Sequence, residues 1–221
     1  NEIMKMKNLI LVCATACILV ACGGNSGGNK TDNYDAQGTG ETADKMNNKT
    51  ASVSSDYLIT TTGAGFVVVG DSVMTKIPDN ISYELKTITR SEEGYEIEVN
   101  TLTLKDIAGE IMQVDLTDDE RVQEIMVLSS KASTEKGMGP GSKITDFIKA
   151  YPDYKIWYTY VAGWIILESP SLKCVQFLLD ENDYIGDAKK IKQPVSDMVT
   201  LKATDFKTDA IITKVRIFNY Y

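Results

Sequence analysis

Between Tyr83 and Leu128 the chain changes character at every second residue. Tyr83, Leu85, Thr87 and Thr89 alternate with Glu84, Lys86, Ile88 and Arg90, and the polar run Ser91–Gly94 reads as a turn. Alternation resumes from Tyr95 to Leu104, with Tyr95, Ile97 and Val99 against Glu96, Glu98 and Asn100. Ile107–Leu116 follows, then a polar turn at Thr117-Asp118-Asp119-Glu120, then Val122–Leu128. A period of two puts alternate side chains on opposite faces of an extended strand. Strands joined by such short turns form an antiparallel meander with one wet face.

One segment breaks this period. In Gly141–Asp153, Ile144, Phe147, Ile148 and Tyr151 recur at i, i+3, i+4 and i+7, the spacing of one helical face. Ser142 is the expected N-cap, Asp146 lies near the positive end of the helix dipole, and Pro152 closes the helix. Strand signals precede the meander at Tyr57–Thr60 and Phe66–Val69. They return after the helix at Lys155–Val161, Trp164–Glu168, Lys173–Leu179, Val199–Lys202 and Ala210–Phe218. The fold class expected is α+β, with β-rich antiparallel meander sheets and one or two short helices. Gly70–Ile77 and Gly141–Ile148 share Gly-x-x-(Val/Ile)-x-x-x-Ile at an offset of 71 residues. The match raises the question of a tandem duplication of a helix-plus-sheet unit, with repeats near 57–130 and 131–218.

The N-terminal part differs in composition. Lys5 and Lys7 precede an apolar run from Leu9 to Ala21, shorter than the roughly 20 residues that span a bilayer. A basic start, a short apolar core and small exit residues mark residues 1–21 as a signal peptide. Leu19-Val20-Ala21-Cys22 resembles the lipobox of bacterial lipoproteins. The resemblance implies cleavage before Cys22 and acylation of its thiol and new amino terminus; two or three acyl chains anchor stably where one does not. From Gly23 to about Ser52 the chain holds almost no apolar residue, so residues 22–52 read as the lipidated cysteine and a flexible tether, and 53–221 as the globular domain. The expected location is the cell envelope, anchored in the outer membrane and facing the periplasm.

Charge and histidine content narrow the chemistry. Loss of residues 1–21 removes two lysines and one glutamate, so a net charge of −8 becomes −9, which disfavours nucleic acid as a partner. With Cys22 lipidated, Cys174 has no intrachain partner, and its strand-like setting reads as a buried small hydrophobe. The chain has no histidine, which removes Ser-His-Asp and Cys-His machinery, His-containing zinc sites and His general bases. Gly137–Lys143 opens a helix but fails both glycine-rich phosphate-loop spacings, so it reads as a turn. Asp180–Asp187 matches an EF-hand loop only at Asp180 and Asn182 and reads as an acidic turn. No cofactor or metal is implied.

The candidate binding residues are aromatic: Trp157, Tyr158, Tyr160 and Trp164. A hairpin turning at Ala162-Gly163 would pair Val161 with Trp164 and Trp157 with Glu168. Trp157, Val161, Trp164 and Ile166 then share one face, and Tyr158, Tyr160, Ile165 and Leu167 the other. One face covers the core. The other needs a cover, with packing under another unit of the protein the expected arrangement and a partner or sugar-stacking platform the alternatives.

The Gly-x-x-(Val/Ile) turn, short helix and following meander resemble the unit doubled in the β-lactamase inhibitor protein and in small envelope lipoproteins of that fold. The tether and Gly63-Ala-Gly65-Phe-Val-Val-Val-Gly70 more loosely resemble lipoproteins of Bacteroidetes. These resemblances imply a binding or assembly role. The expected function is therefore a non-catalytic, lipid-anchored envelope module whose partner is another envelope protein. The alternatives are a glycan- or peptidoglycan-binding lipoprotein using the aromatic hairpin, and a histidine-free hydrolase with two facing carboxyls.

Overall fold

The computed structural model describes residues 57–92, 95–194 and 196–219, within the unit Lys49–Tyr221. The signal segment, Cys22 and the proposed tether lie outside the described residues. The fold is β-rich and antiparallel with few short helices. A small hairpin, β1 (Gly63–Ala64) and β2 (Val67–Val68), precedes β3 (Ser82–Glu92), β4 (Tyr95–Asp106), β5 (Gly109–Leu116) and β6 (Val122–Val127). Helix α1 (Ile144–Ala150) leads to β7 (Lys155–Thr159), β8 (Trp164–Glu168) and β9 (Val175–Leu179). Helix α2 (Lys189–Lys192), β10 (Met198–Leu201) and β11 (Ile212–Phe218) complete the chain. Strands β3 to β11 form one sheet in the order β10-β7-β8-β9-β11-β6-β5-β4-β3.

One face of this sheet carries the core. Leu104, Met112, Val127, Val215, Phe177, Leu167, Ile156 and Leu201 are successive register partners across eight strands, and all are buried. Each such side chain contributes about 1.5–3 kcal/mol by leaving water. The connecting segments cover this face with Ile59, Val67, Val73, Phe147, Ile191 and Phe206. Phe147 is central: its ring lies 4.7 Å from Phe177 edge-on and 4.8 Å from Tyr151. Tyr151 donates to the Thr134 hydroxyl at 2.9 Å, and burial pushes its own ionisation up.

Several local expectations need correction. Tyr57–Thr60 makes isolated bridges rather than a strand, Leu58 with Ser133 and Ile59 with Ala64. The Ser91–Gly94 turn is shorter than expected, because Ser91 and Glu92 still pair with Glu96 and Tyr95. Ser142 does not cap α1. The chain stays extended through Lys143, which bridges to Ile211, and the Ser142 hydroxyl instead accepts the Gly139 N–H at 3.0 Å. Cys174 is half-buried and lies before β9, not in it. It turns the chain at φ +64°, and its carbonyl accepts the Phe218 N–H.

The two glycine turns singled out in the sequence have matching geometry. Gly70 and Gly141 both adopt φ +88°. The Gly70 N–H donates to Val122 O at 2.7 Å, and the Val122 N–H returns to Asp71 O at 2.9 Å. The Gly141 N–H donates to Ile212 O at 2.7 Å, and the Ile212 N–H returns to Ser142 O at 2.8 Å. Only the second turn opens an α-helix; the first leads into a 3-10 turn at Met74–Lys76. β6 and β11, which receive these bonds, pair with each other at the middle of the sheet. Ile125 lies opposite Ile217, Met126 opposite Arg216 and Val127 opposite Val215. With Val122 equated to Ile212, Met126 corresponds to Arg216, so the pairing is symmetric about that pair. Outward from it run β5-β4-β3 on one side and β9-β8-β7 on the other, and β10 is the extra strand on β7.

Candidate binding face

The face away from the core has a different composition. β7 places Lys155, Trp157 and Thr159 there, β8 Trp164, Ile166 and Glu168, and β9 Gln176 and Leu178. β11 adds Lys214, Arg216 and Phe218, and β6 adds Glu124 and Met126. Ile166 and Leu178 are buried, yet they stand outside the core cluster because they lie on this second face. The segments that cover the sheet put their apolar side chains into the core cluster instead.

Arg216 organises the centre of the face. Its guanidinium donates to Glu124 Oε2 at 2.6 Å and to Gln176 Oε1 at 3.1 Å. It also lies 4.5 Å from the Phe218 ring centroid and 5.2 Å from that of Trp164. Cation–π contact of this kind steadies both the cation and the ring. Arg216 Nε is buried without a hydrogen-bond partner among the described residues. A second network lies toward β3. Arg90 holds Asp115 through two hydrogen bonds, and the Thr101 hydroxyl donates to the same carboxylate at 2.7 Å. That network ties β3 to β5 across β4.

Trp157 forms part of a groove of about 590 Å³ at the β10 edge, with Glu168, Met198, Thr200, Lys202 and Thr204 also in its lining. The indole Nε1 is buried and has no acceptor among the described residues. Glu168 is the only carboxylate in this lining and pairs in register with Lys155.

The four predicted aromatic residues separate. The hairpin register is Thr159 with Trp164, Tyr158 with Ile165 and Trp157 with Ile166. It closes through a four-residue loop in which the Gly163 N–H donates to Thr159 O and Gly163 takes φ +66°. The expected pairing of Val161 with Trp164 and Trp157 with Glu168 is therefore corrected by two residues. A shift of two preserves the faces, so Trp157, Trp164 and Ile166 do stand together. Tyr158 belongs to the core side, where burial is the main cause raising its ionisation and the Glu181 charge adds to it. Tyr160 and Val161 fall in the loop instead of on either strand face, and Tyr160 is 60% exposed. The expected cover of the tryptophan face by another packed unit is also corrected: β3 to β11 form one sheet, so the strands before and after α1 lie side by side rather than face to face.

Sequence reasoning missed Arg216, Glu124, Gln176 and Phe218. The available signal was Lys214, Arg216 and Phe218 alternating with Val215 and Ile217, which puts two cations and an aromatic ring on the face opposite the buried Val215 and Ile217. The acidic turn at Asp180–Asp187 holds a 3-10 turn at Glu181–Asp183, capped by Asp180, with Asp183 paired to Lys207 at 3.2 Å. In Gly137–Lys143 the glycines serve backbone geometry: a Cβ on Gly139 would lie 2.0 Å from Ala132 O.

No protein-family model matches the sequence, and no curated protein matches it. Among solved structures, the chain is similar to the uncharacterized protein yfeY from Escherichia coli, with 13% identity and a TM-score of 0.48. The alignment covers 73% of this chain and 99% of that one.

Proposed function

We propose that the chain is a non-catalytic, lipid-anchored module of the cell envelope, held through Cys22 and presenting the Trp157–Trp164–Arg216 face to a partner protein. The observation that carries this reading is the second sheet face. Trp164 and Phe218 flank Arg216, and Trp157 stands on the same side of the sheet, away from the core cluster. Faces rich in Trp and Arg are where binding energy concentrates in protein interfaces. The lipobox resemblance supports the anchor, and the scarcity of acidic residues directly after Cys22 supports the periplasmic side of the outer membrane as its location.

The groove beside Trp157 favours a second reading, a glycan ligand. An indole next to threonine hydroxyls, a carboxylate and a lysine is suited to stacking and hydrogen bonding with a sugar. A hydrolytic reading requires two facing carboxyls, and the groove lining supplies one, Glu168.

We also read the sheet as a tandem duplication. The matched glycine turns, their paired hydrogen bonds to β6 and β11, and the symmetric pairing about Met126 and Arg216 support it.

Crosslinking of a C-terminally tagged copy in intact cells, followed by purification and mass spectrometry, tests the functional reading. Recurrent recovery of one protein, lost in Trp164→Ala, is the expected result. Recovery only of glycan, together with sugar quenching of tryptophan fluorescence lost in Trp157→Ala, would replace it with the carbohydrate reading.

A further inference from the structure

The two ends of the sheet are not treated alike. On the symmetric equivalence about Met126 and Arg216, β3 occupies the place that β7 holds in the other half. The outer edge of β7 is paired with an antiparallel strand, β10. The outer edge of β3 has no strand against it among the described residues, over all of Ser82–Glu92.

The direction of its free backbone groups follows from the hairpin. Glu92 pairs with Tyr95, so two residues connect β3 and β4, and a two-residue hairpin closes on a hydrogen-bonded pair. Alternation along an antiparallel ladder then turns the even-numbered residues of β3 toward β4. The N–H and C=O of Tyr83, Leu85, Thr87, Thr89 and Ser91 point outward. Tyr83 and Leu85 are 53% and 49% exposed, on the face that elsewhere carries the core.

We propose that this edge pairs with the β3 edge of a second copy of the chain, antiparallel and centred on Thr87, to make a continuous sheet of eighteen strands. Self-pairing about any one residue of β3 sets odd against odd and satisfies the outward groups; centring on Thr87 uses the whole strand, whereas centring on Lys86 or Ile88 sets Lys86 against itself or against Arg90. Thr87 then faces Thr87 of the other copy, Leu85 faces Thr89, and Glu84 faces Arg90. Glu84 and Arg90 form non-hydrogen-bonded pairs, in which side chains approach most closely. The two-fold axis makes this opposite-charge contact twice. Arg90 retains Asp115 on its other side, and Glu84 is an exposed carboxylate already held by Lys86 at 2.7 Å. Charges on an edge strand ordinarily prevent strand addition. Here they reject most registers and complement one another in this one. This interface lies at the opposite end of the sheet from the Trp157 groove and does not depend on the reading given for that face.

Thr87→Cys in the full chain, expressed with its anchor, tests the pairing directly. Cα atoms of a hydrogen-bonded antiparallel pair lie about 5.5 Å apart, within disulfide range. Oxidation is expected to give a covalent dimer on a non-reducing gel, whereas Thr208→Cys and the unmodified chain with Cys174 do not. Glu84→Arg added to Thr87→Cys is expected to reduce dimer yield about tenfold by setting Arg against Arg90. Thr87→Pro removes an outward N–H and the exposed hydroxyl bond to Asn100, so it is expected to keep the thermal midpoint within a few degrees while leaving the chain monomeric in sedimentation. A Thr87→Cys yield no greater than that of the Thr208→Cys control would overturn the proposal. So would dimer formation unaffected by Glu84→Arg, or crosslinks from the thiol introduced by Thr87→Cys to a different protein alone.

Discussion

Removal of the Glu124 carboxylate tests whether the centre of the proposed binding face is also a structural joint. Side chains of Arg216 and Glu124 are 26% and 17% exposed, so the pair lies between a surface bridge and a buried one. Exposed pairs contribute about 0.2–1 kcal/mol, whereas stranding one partner of a buried pair costs about 3–5 kcal/mol. Glu124→Ala leaves Arg216 with Gln176 as its remaining acceptor and Nε already unpartnered. We therefore expect a loss of about 2 kcal/mol, or about 4–8 °C in thermal midpoint for a domain of this size. Arg216→Met keeps the apolar stem against Phe218 and Trp164 and removes the charge. The double variant is expected to lose at least 1 kcal/mol less than the sum of the single losses, since removal of the second partner relieves the stranded first. Urea unfolding followed by tryptophan fluorescence measures all four proteins. A loss below about 0.5 kcal/mol for Glu124→Ala, with additive single variants, would refute the reasoning, because it would mean that water already solvates the pair.

The core and turns give three further predictions. Phe147→Ala removes a fully buried ring between Tyr151 and Phe177, and denaturant unfolding should show a loss of about 3–5 kcal/mol. Gly139→Ala forces a Cβ to within 2.0 Å of Ala132 O and should cost about 3 kcal/mol. Gly137→Ala, at φ +76° with open space around it, should cost only about 1 kcal/mol; equal losses would show that the close approach is absent. The Asp106 carboxyl is held below its ordinary value of 3.8, first by its bond from Lys131 and then by the Ala108 N–H. Its contribution is therefore present above that value and is lost as pH falls below it. Acid titration of stability should flatten in this window in Lys131→Ala, and an unchanged profile would exclude the coupling.

Much of the strand pattern was legible because period two is a strong constraint. β8 spans Trp164–Glu168 as the sequence indicates, and β3, β4, β7, β10 and β11 differ from their expected spans only at their ends. The errors lie where tertiary bonds outcompete local signals. Ser142 has the chemistry of a cap, but the extended pairing of Lys143 with Ile211 delays the helix by a residue and turns the hydroxyl toward Gly139. Cys174 follows an apolar pattern, yet the reversal from Ser169 to Val175 needs a left-handed residue at that point. α2 was not foreseen because its four residues, Lys-Lys-Ile-Lys, offer a single buried position and no period to read.

The proposed binding face shows why a site can be half visible in a sequence. The position of Trp157 and Trp164 on one face followed from parity alone, and it survived a register error of two residues because parity does. The residues that complete the face could not follow from any local rule. Arg216 and Glu124 are separated by 92 positions and meet only because β11 returns to pair with β6. That return has a consequence for specificity. At the one place where the two halves face each other, a methionine stands on β6 and an arginine on β11, so the symmetry of the backbone is not repeated in the side chains. The arginine recruits Trp164 and Gln176 from one half and Glu124 from the other. A ligand placed over this centre would therefore meet a guanidinium flanked by aromatic rings on one side and the Thr103–Gln113–Met126 row on the other. Under the proposed reading, this asymmetry would let the face select one orientation of a bound partner, which a symmetric pair of methionines could not.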